Sequence, residues 1–408
     1  MTAGIGIFDS AAQKLGSRRC RALFYALLYA FVGKSLLSRI NWAGDNGVSA
    51  AAASGTLPDV PTLICFALAA LCLIMLMLEY TRCLRIVLPC GAGVCALIYA
   101  LFELLGKDGR IVFISAFLAL FALGKSFREI ARAYLYCALV TLAAAFILLK
   151  AGYAAEFFKP ENEFPGHSFG LIHPNTWGYI AFIALTALWY LHFQKAPVVT
   201  FALFWGAGAF ILFVISCRTV AMMCAAFPFG ALAAFFAGRK PRHIKALRYL
   251  FCALPLLCFA LSLILSLNAG TVERAFYPTP FKTMAMRFVN GGTALRVLGF
   301  TVLGKDLGSE YIIPIILGGA QSELIVDNAY ILFSISRGIV WLALCLLWQV
   351  FANVRAFKAR DYALILLLAF MSLFALMERP GLEVWCSMAL LYPAASFAPA
   401  DNTEEGRI

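Results

Sequence analysis

The chain has 408 residues, of which 63% are hydrophobic and 13% are charged, about half the charged fraction of a soluble domain. This composition excludes a water-soluble enzyme, because a soluble fold of this length would expose too much apolar surface. The net charge of +12 would suit nucleic-acid binding, but the basic residues lie in short connections between apolar runs. That arrangement is typical of the positive-inside rule, so we expect no nucleic-acid partner.

About twelve apolar runs predict about 12 transmembrane helices, which at roughly 20 residues each occupy about 240 residues. The runs are continuous rather than alternating, which excludes a transmembrane β-barrel. The predicted spans are 20–37, 61–80, 86–105, 110–124, 131–151, 175–193, 197–216, 219–237, 248–267, 329–351, 361–377 and 383–399. Because the connections are too short for a separate soluble domain, we predict one all-α integral membrane domain over residues 1–408.

Basic residues concentrate in the connections 239–248 and 355–360. The positive-inside rule places both connections in the cytoplasm, which also places both termini there. The segments 152–174 and 268–328 then lie outside. The second is a long loop between spans nine and ten, and so long a loop in a compact protein is usually functional. We expect it to be ordered and close to the membrane, because it contains many apolar and aromatic residues.

The segment before the sixth span contains His167, His173 and Asn175, in the sequence GHSFGLIHPNTWGY. No carboxylate stands at metal-ligand spacing from these histidines, so a metal site is not expected. Pro174 and Asn175 also fit an ordinary structural role, since they can end the loop and cap the helix.

Arg218 lies in a very short connection between spans seven and eight. One interpretation is a snorkelling side chain, whose stem lies in lipid while its head reaches water. The predicted topology places this residue outside, where positive charge is disfavoured. That placement favours the second interpretation, in which the planar guanidinium binds a lipid-linked phosphate.

Two further arginines, Arg287 and Arg296, lie in the long outside loop. On one continuous helix their spacing puts them about 180° apart, on opposite faces. Gly291 and Gly292 lie between them, and we expect these glycines to break the helix. Solvated charges on a loop helix are the structural alternative for both arginines.

Asp327 and Asn328 directly precede the tenth span. Asp327 suits the role of a helix N-cap. Tyr330, Ser334 and Arg337 follow at helical spacing, which with Asp327 predicts a polar stripe about 80° wide along the span. An arginine inside a span is a functional hypothesis by default. The stripe therefore predicts one wall of a hydrated cavity.

After span eleven the chain carries Glu378, Arg379 and Glu383. These residues either form an interfacial ion pair of little energetic value or add acidic groups to the same outside cavity. The arginines, histidines and carboxylates predicted outside suit an anionic, lipid-linked substrate. Enclosed arginines can stabilise a departing diphosphate, and a carboxylate or histidine can take a proton from an attacking hydroxyl.

Three short motifs, in this order, resemble the O-antigen polymerase and ligase superfamily. They are HPNTWGY at 173–179, SCRT at 216–219 and DNAY at 327–330, with spaced arginines in the loop between the last two. The similarity covers about residues 165 to 385. The pair Asp327–Asn328 resembles the polymerase (Wzy-type) branch, since the ligase branch carries His-Asn there. Cys217 departs from the pattern, because the family commonly has serine at that point.

The resemblance implies a GT-C-like glycosyltransferase in the bacterial cytoplasmic membrane that needs neither metal nor cofactor. It would join oligosaccharide repeat units, carried on undecaprenyl diphosphate, into a surface polysaccharide on the outer face, alongside a chain-length-regulating membrane protein. Arg218 and Arg287 would hold the donor diphosphate, and Asp327 would activate the acceptor hydroxyl for an inverting attack. The remaining implied contacts to the substrate are Arg296, Asn328, Tyr330, Arg337, His167, His173, Asn175 and Glu378.

Two alternatives remain at this point. A polymer ligase of the same superfamily differs only in its acceptor. A lipid-linked oligosaccharide flippase or exporter belongs to another class, and it would line the middle of several spans with charges. Among the predicted spans only Arg337 lies that deep.

Overall fold

The computed structural model describes most of the last two thirds of the chain and part of the first third. The described residues are 18–43, 125–159, 166–239, 245–277, 279, 282–305, 307, 312–317, 320–384 and 386–395, with isolated positions between 64 and 122. Apart from those isolated positions, the predicted spans 61–80, 86–105 and 110–124 lie outside the described residues.

Within this part of the chain the protein is mostly helical. Six helices are long and apolar enough to cross a membrane: Phe127–Lys150, Pro174–Phe193, Pro197–Ile215, Arg218–Ala237, Tyr249–Leu267 and Ile339–Ala359. Two apolar helices are shorter, Ala22–Leu37 and Tyr362–Met377. An all-α membrane protein is the fold class that these helices support.

From α3 to α6 the helices follow one another with short connections. In chain order they are α1 (Arg18–Leu37), α2 (Phe127–Lys150), α3 (Pro174–Leu188), α4 (Pro197–Phe210), α5 (Arg218–Arg239) and α6 (Lys245–Leu267). A π-helical turn extends α3 over Trp189–Phe193 and another extends α4 over Ile211–Ile215. These elements confirm that the corresponding apolar runs are helical, and α2 to α6 are long and apolar enough to cross a membrane.

The segment 268–328, predicted as an ordered outside loop, contains two helices and a hairpin. Helices α7 (Ala269–Phe276) and α8 (Lys282–Leu298) come first, followed by the antiparallel strands β3 (Ile312–Leu317) and β4 (Ala320–Ile325). A smaller hairpin, β1 (Phe158–Lys159) and β2 (Gly166–His167), lies between α2 and α3.

The prediction that Gly291 and Gly292 break a helix is wrong, because α8 runs through both residues. A β-carbon at Gly292 would lie 2.1 Å from the carbonyl oxygen of Ser266, and one at Gly291 would lie 2.9 Å from the Ser266 hydroxyl. The glycines therefore let α8 pack against the end of α6 at backbone distance, as small residues do where helices cross closely.

The predicted tenth span, 329–351, is also wrong as a single helix. It consists of α9 (Ala329–Ser336) and α10 (Ile339–Ala359), separated at Arg337 and at Gly338, whose φ is +89°. Residues 301–305 bind the backbone groups released by the break: Ile339 N donates to Thr301 O at 2.8 Å and Lys305 N donates to Ile335 O at 2.9 Å. A broken helix is tolerated at membrane depth when another part of the protein satisfies its backbone.

After α11 (Tyr362–Met377) the predicted final span, 383–399, is not a continuous helix over its described residues. It contains a 3-10 turn, Met388–Leu391, and the short helix α12 (Tyr392–Ala395). The segment is buried, and side chains of the bundle bind its carbonyl oxygens: Trp348 Nε1 donates to Leu390 O at 2.7 Å, and the Tyr134 hydroxyl donates to Val384 O. Residues 396–399 lie outside the described residues.

Aromatic side chains fill the centre of the bundle. The Phe204 and Phe227 rings stack with centroids 4.3 Å apart, and Trp189 and Phe370 meet Phe227 edge-on at 4.9 Å. Such ring pairs add about 0.5–1.5 kcal/mol each beyond the apolar area that they bury. Large apolar side chains also face outward on α4, α5 and α6, where a lipid environment would cover them: Val198, Phe213, Phe236 and Ile264.

Candidate active site

One end of the bundle gathers five segments that are far apart in sequence. The carboxyl end of α11 meets the second turn of α3, the first turn of α5, the middle of α8 and the segment just before α9. Close packing makes this possible, because a β-carbon at Gly178 on α3 would lie 2.8 Å from the Cys217 sulfur. All five segments belong to the half that the predicted topology assigns to the outside.

A buried ion pair forms the base of this site. Arg287 Nη1 on α8 lies 2.6 Å from Glu378 Oε1, and their side chains are 8% and 0% exposed. The Tyr179 hydroxyl donates a hydrogen bond to the other carboxylate oxygen of Glu378. Thr219, in the first turn of α5, also hydrogen-bonds to Glu378. The carboxylate is thus held by three elements, which fixes the position of the arginine that it binds.

A second, more accessible ion pair adjoins the first. Arg379 Nε lies 3.6 Å from Asp327 Oδ1, with side chains 36% and 28% exposed. Asp327 also acts electrostatically on Arg287 and Glu378. The four charges therefore alternate in sign from the half-exposed Arg379, through Asp327 and Arg287, to the buried Glu378.

Burial and charge act in opposite directions on the buried pair. Burial raises the pKa of Glu378, an effect that the positive charge of Arg287 partly offsets while the negative charge of Asp327 adds to it. Burial lowers the pKa of Arg287, but the negative charges of Glu378 and Asp327 outweigh this and raise its pKa overall. Arg287 is therefore held as a guanidinium, and Glu378 is the member of the pair that can take up a proton.

The structure tests the interpretation of Asp327 as a helix N-cap. Asn328, rather than Asp327, caps α9: its Oδ1 accepts from Ile331 N at 3.2 Å and from Ser262 Oγ at 2.8 Å. The N-cap interpretation of Asp327 is therefore wrong, and its carboxylate faces Arg379 instead. Asn328, predicted to contact substrate, is fully buried and holds α9 against α6.

The predicted polar stripe does not form, because α9 ends at Ser336. Tyr330 is fully buried and its hydroxyl donates to Ser372 O at 3.1 Å, while Ser334 Oγ donates to Ile331 O at 2.7 Å. Arg337 is 9% exposed and lies at the break before α10. The Tyr330 hydroxyl is therefore bound to α11 rather than to the cluster around Glu378.

The other predicted arginines are both exposed. Arg218 is the first residue of α5, directly before Thr219, so it borders the cluster. Arg296 lies on α8 with Nη2 3.3 Å from Thr293 Oγ1. Arg287 is buried and Arg296 is exposed on the same helix, which confirms that they occupy opposite faces. Arg296 therefore does not share a ligand position with Arg287.

The predicted histidines lie on the segment that leads into α3. His173 caps this helix, because its Nδ1 accepts a hydrogen bond from the backbone nitrogen of Asn175 at 3.0 Å. The cap, predicted at Pro174 and Asn175, therefore lies one residue earlier, and Asn175 itself is half-buried. His167 Nδ1 lies 3.4 Å from Glu156 Oε1, and its ring stacks on Phe169. The described part of the chain contains no group of metal-binding side chains.

Sequence reasoning did not identify Tyr179 and Thr219 as functional residues. Both belong to motifs that carry the family resemblance: Tyr179 ends HPNTWGY and Thr219 ends SCRT. Their position in those motifs could have identified them as candidates. Glu378, to which both side chains hydrogen-bond, is distant in sequence.

Chemically, this end of the bundle offers an exposed guanidinium at its border, a buried guanidinium held by a carboxylate, and a half-exposed carboxylate. Such a set can bind an anion and accept a proton from a bound hydroxyl. Comparison of the chain with protein-family models, with curated proteins and with solved structures finds no match.

Proposed function

We propose that the chain is a membrane glycosyltransferase that polymerises oligosaccharide repeat units carried on undecaprenyl diphosphate. The observation that carries the proposal is the charged cluster, because the motif residues Tyr179, Thr219 and Asp327 meet Arg287 and Glu378 there. If the motifs that carry the family resemblance serve one site, the segments that contain them should lie close together. Their convergence supports a common site for an anionic substrate.

The roles follow from charge and accessibility. Arg218, exposed at the start of α5, would meet the donor diphosphate first, and Arg287 would neutralise charge on the leaving diphosphate. Asp327, half-exposed beside Arg379, would take the proton of the acceptor hydroxyl as that hydroxyl attacks the anomeric carbon. The diphosphate leaves from the opposite face, so the anomeric configuration inverts.

The finer features of this proposal come from the sequence. They are about 12 spans in a GT-C-like arrangement, cytoplasmic termini and an active site on the outer face of the bacterial cytoplasmic membrane. The partners would be membrane lipid and a chain-length-regulating membrane protein. A polymer ligase would use the same donor site, so the two activities differ in the acceptor alone.

The test is to analyse lipid-linked products in a strain that lacks this chain. Single repeat units on the lipid, without long polymer, would support a polymerase. Intact polymer left on the lipid would indicate a ligase, and repeat units retained on the cytoplasmic side would indicate a flippase.

The strain is then complemented with Asp327→Asn, and with Glu273→Gln as a control on the exposed face of α7. Asparagine cannot take a proton, so we expect accumulated repeat units and little polymer from Asp327→Asn at normal membrane abundance. The control should restore the wild-type glycan ladder, the series of polymer lengths separated on a gel. A wild-type ladder from Asp327→Asn would contradict the role of this carboxylate.

A further inference from the structure

Glu378 occupies the position on Arg287 where an anionic ligand would bind. The two groups are 2.6 Å apart, and the carboxylate is fully buried. Among the described residues, Arg287 Nη1 and Glu378 Oε1 have no hydrogen-bond partner beyond each other. An anion that engages Arg287 Nη1 must therefore compete with this carboxylate.

We propose that Glu378 is an internal counter-ion that a diphosphate displaces from Arg287, and that it takes up one proton from solvent as the ligand binds. The inference rests on the proposed function for the choice of a diphosphate as the ligand. It makes Glu378 a positioning residue that acts through Arg287, rather than the direct substrate contact predicted from the sequence.

The physical reason is the free-energy cost of a buried charge without a partner. Removing one member of a buried ion pair is strongly destabilising, because the other charge stays desolvated. A carboxylate can avoid this cost by protonation, whereas an arginine cannot. Tyr179 and Thr219 already hydrogen-bond to Glu378, and a hydroxyl oxygen can also accept the proton of a neutral carboxyl group. The site is therefore built to hold Glu378 in either form.

The surroundings favour proton uptake at Glu378. The charged and titratable groups that interact with it are Tyr179 on α3, Cys217 before α5, Arg287 on α8, Asp327 before α9 and Cys386 after α11. Arg287 is the positive charge that stabilises the carboxylate, and a diphosphate would neutralise it. Asp327 already disfavours the ionised form, and a bound diphosphate would add further negative charge nearby.

The direction of the pH dependence follows from linkage. Ligand binding raises the pKa of Glu378 above its value in the free protein, so protons are taken up between these two values. Affinity should increase as pH falls through that window, by up to about tenfold per pH unit for one proton. Glutamine at this position cannot titrate, so Glu378→Gln should lose this part of the dependence and bind more tightly at high pH.

The experiment is isothermal titration calorimetry of the purified full-length protein in detergent with farnesyl diphosphate, a soluble polyprenyl diphosphate. Two buffers of different ionisation enthalpy report the number of protons taken up. At pH 8 a phosphate group is already ionised, since its second pKa is about 6, so uptake there comes from the protein. Farnesol, which lacks the anion, is the ligand control, and Glu273→Gln is the control variant.

Over a series of pH values we expect proton uptake, up to one proton per ligand, by the wild type and by Glu273→Gln, and none by Glu378→Gln, in line with single-site linkage. Binding without proton uptake in the wild type would overturn the inference, and so would absence of binding at every pH. These results need only wild-type protein, so they stand even if Glu378→Gln does not fold. The glycan ladder tests the proposed function separately: proton-linked binding without any polymerase phenotype would refute that function and leave the counter-ion role intact.

Discussion

The Gly292→Ala substitution tests the close contact between α6 and α8, the helix that carries Arg287. On an isolated helix this change should stabilise by about 1 kcal/mol, because alanine is the better helix former. In the protein the new β-carbon would lie 2.1 Å from Ser266 O and 2.9 Å from the β-carbon of Ala269. Ordinary contact needs about 3.5–4 Å, so the helices must separate by more than about 1 Å. Overpacking of this kind costs about 1–3 kcal/mol, so after the helix gain of about 1 kcal/mol a net destabilisation of up to about 2 kcal/mol is expected.

The assay is thermal unfolding of the purified protein in detergent, followed with a thiol-reactive fluorophore that reports exposure of the buried Cys217, Cys224 and Cys258. Gly206→Ala is the matched control, because a β-carbon at Gly206 on α4 would meet nothing within 4 Å. The control should be neutral or stabilised by up to about 1 kcal/mol. Equal melting temperatures for the two variants would refute the packing argument.

The remaining predictions concern individual side chains of the site. Asn328→Ala should destabilise the protein by about 1 kcal/mol or more, because Asn328 is the cap, whereas Asp327→Asn should leave the melting temperature nearly unchanged. Arg218→Lys keeps the charge but loses the planar fork, so polymer should fall sharply at matched protein level, while Lys282→Ala should give a normal ladder. Tyr330→Phe should cost about 1 kcal/mol of stability through one lost hydrogen bond and leave the polymer unchanged; loss of polymer would place Tyr330 in the site.

The sequence was sufficient for the helices whose formation depends on local properties. Continuous apolar runs bounded by proline or polar residues predicted α2 to α6, because a backbone in lipid must satisfy its hydrogen bonds within the helix. Helical periodicity placed Arg287 and Arg296 on opposite faces of a continuous helix, and α8 is continuous although a break at Gly291 and Gly292 was expected. Each of these features needs only residues a few positions apart.

The features that sequence reasoning misjudged depend on distant partners. The break at Arg337–Gly338 exists because residues 301–305 bind the released backbone groups. The irregular segment after α11 is tolerated because Trp348 and Tyr134 bind its carbonyl oxygens. Hydropathy alone predicts both segments to be helical spans, because it contains no information about which other segments supply hydrogen bonds.

The candidate site likewise combines features that the sequence predicts with features that depend on distant partners. Composition, charge distribution and motif order by themselves determined that this is an α-helical membrane protein with arginines and carboxylates near the ends of particular helices. Only the tertiary structure decided that Arg287 pairs with Glu378, that Asp327 faces Arg379, and that Asn328 rather than Asp327 caps α9. The physical reason is that a buried charge is stable only with a partner, and packing of the whole bundle decides which partner lies within reach.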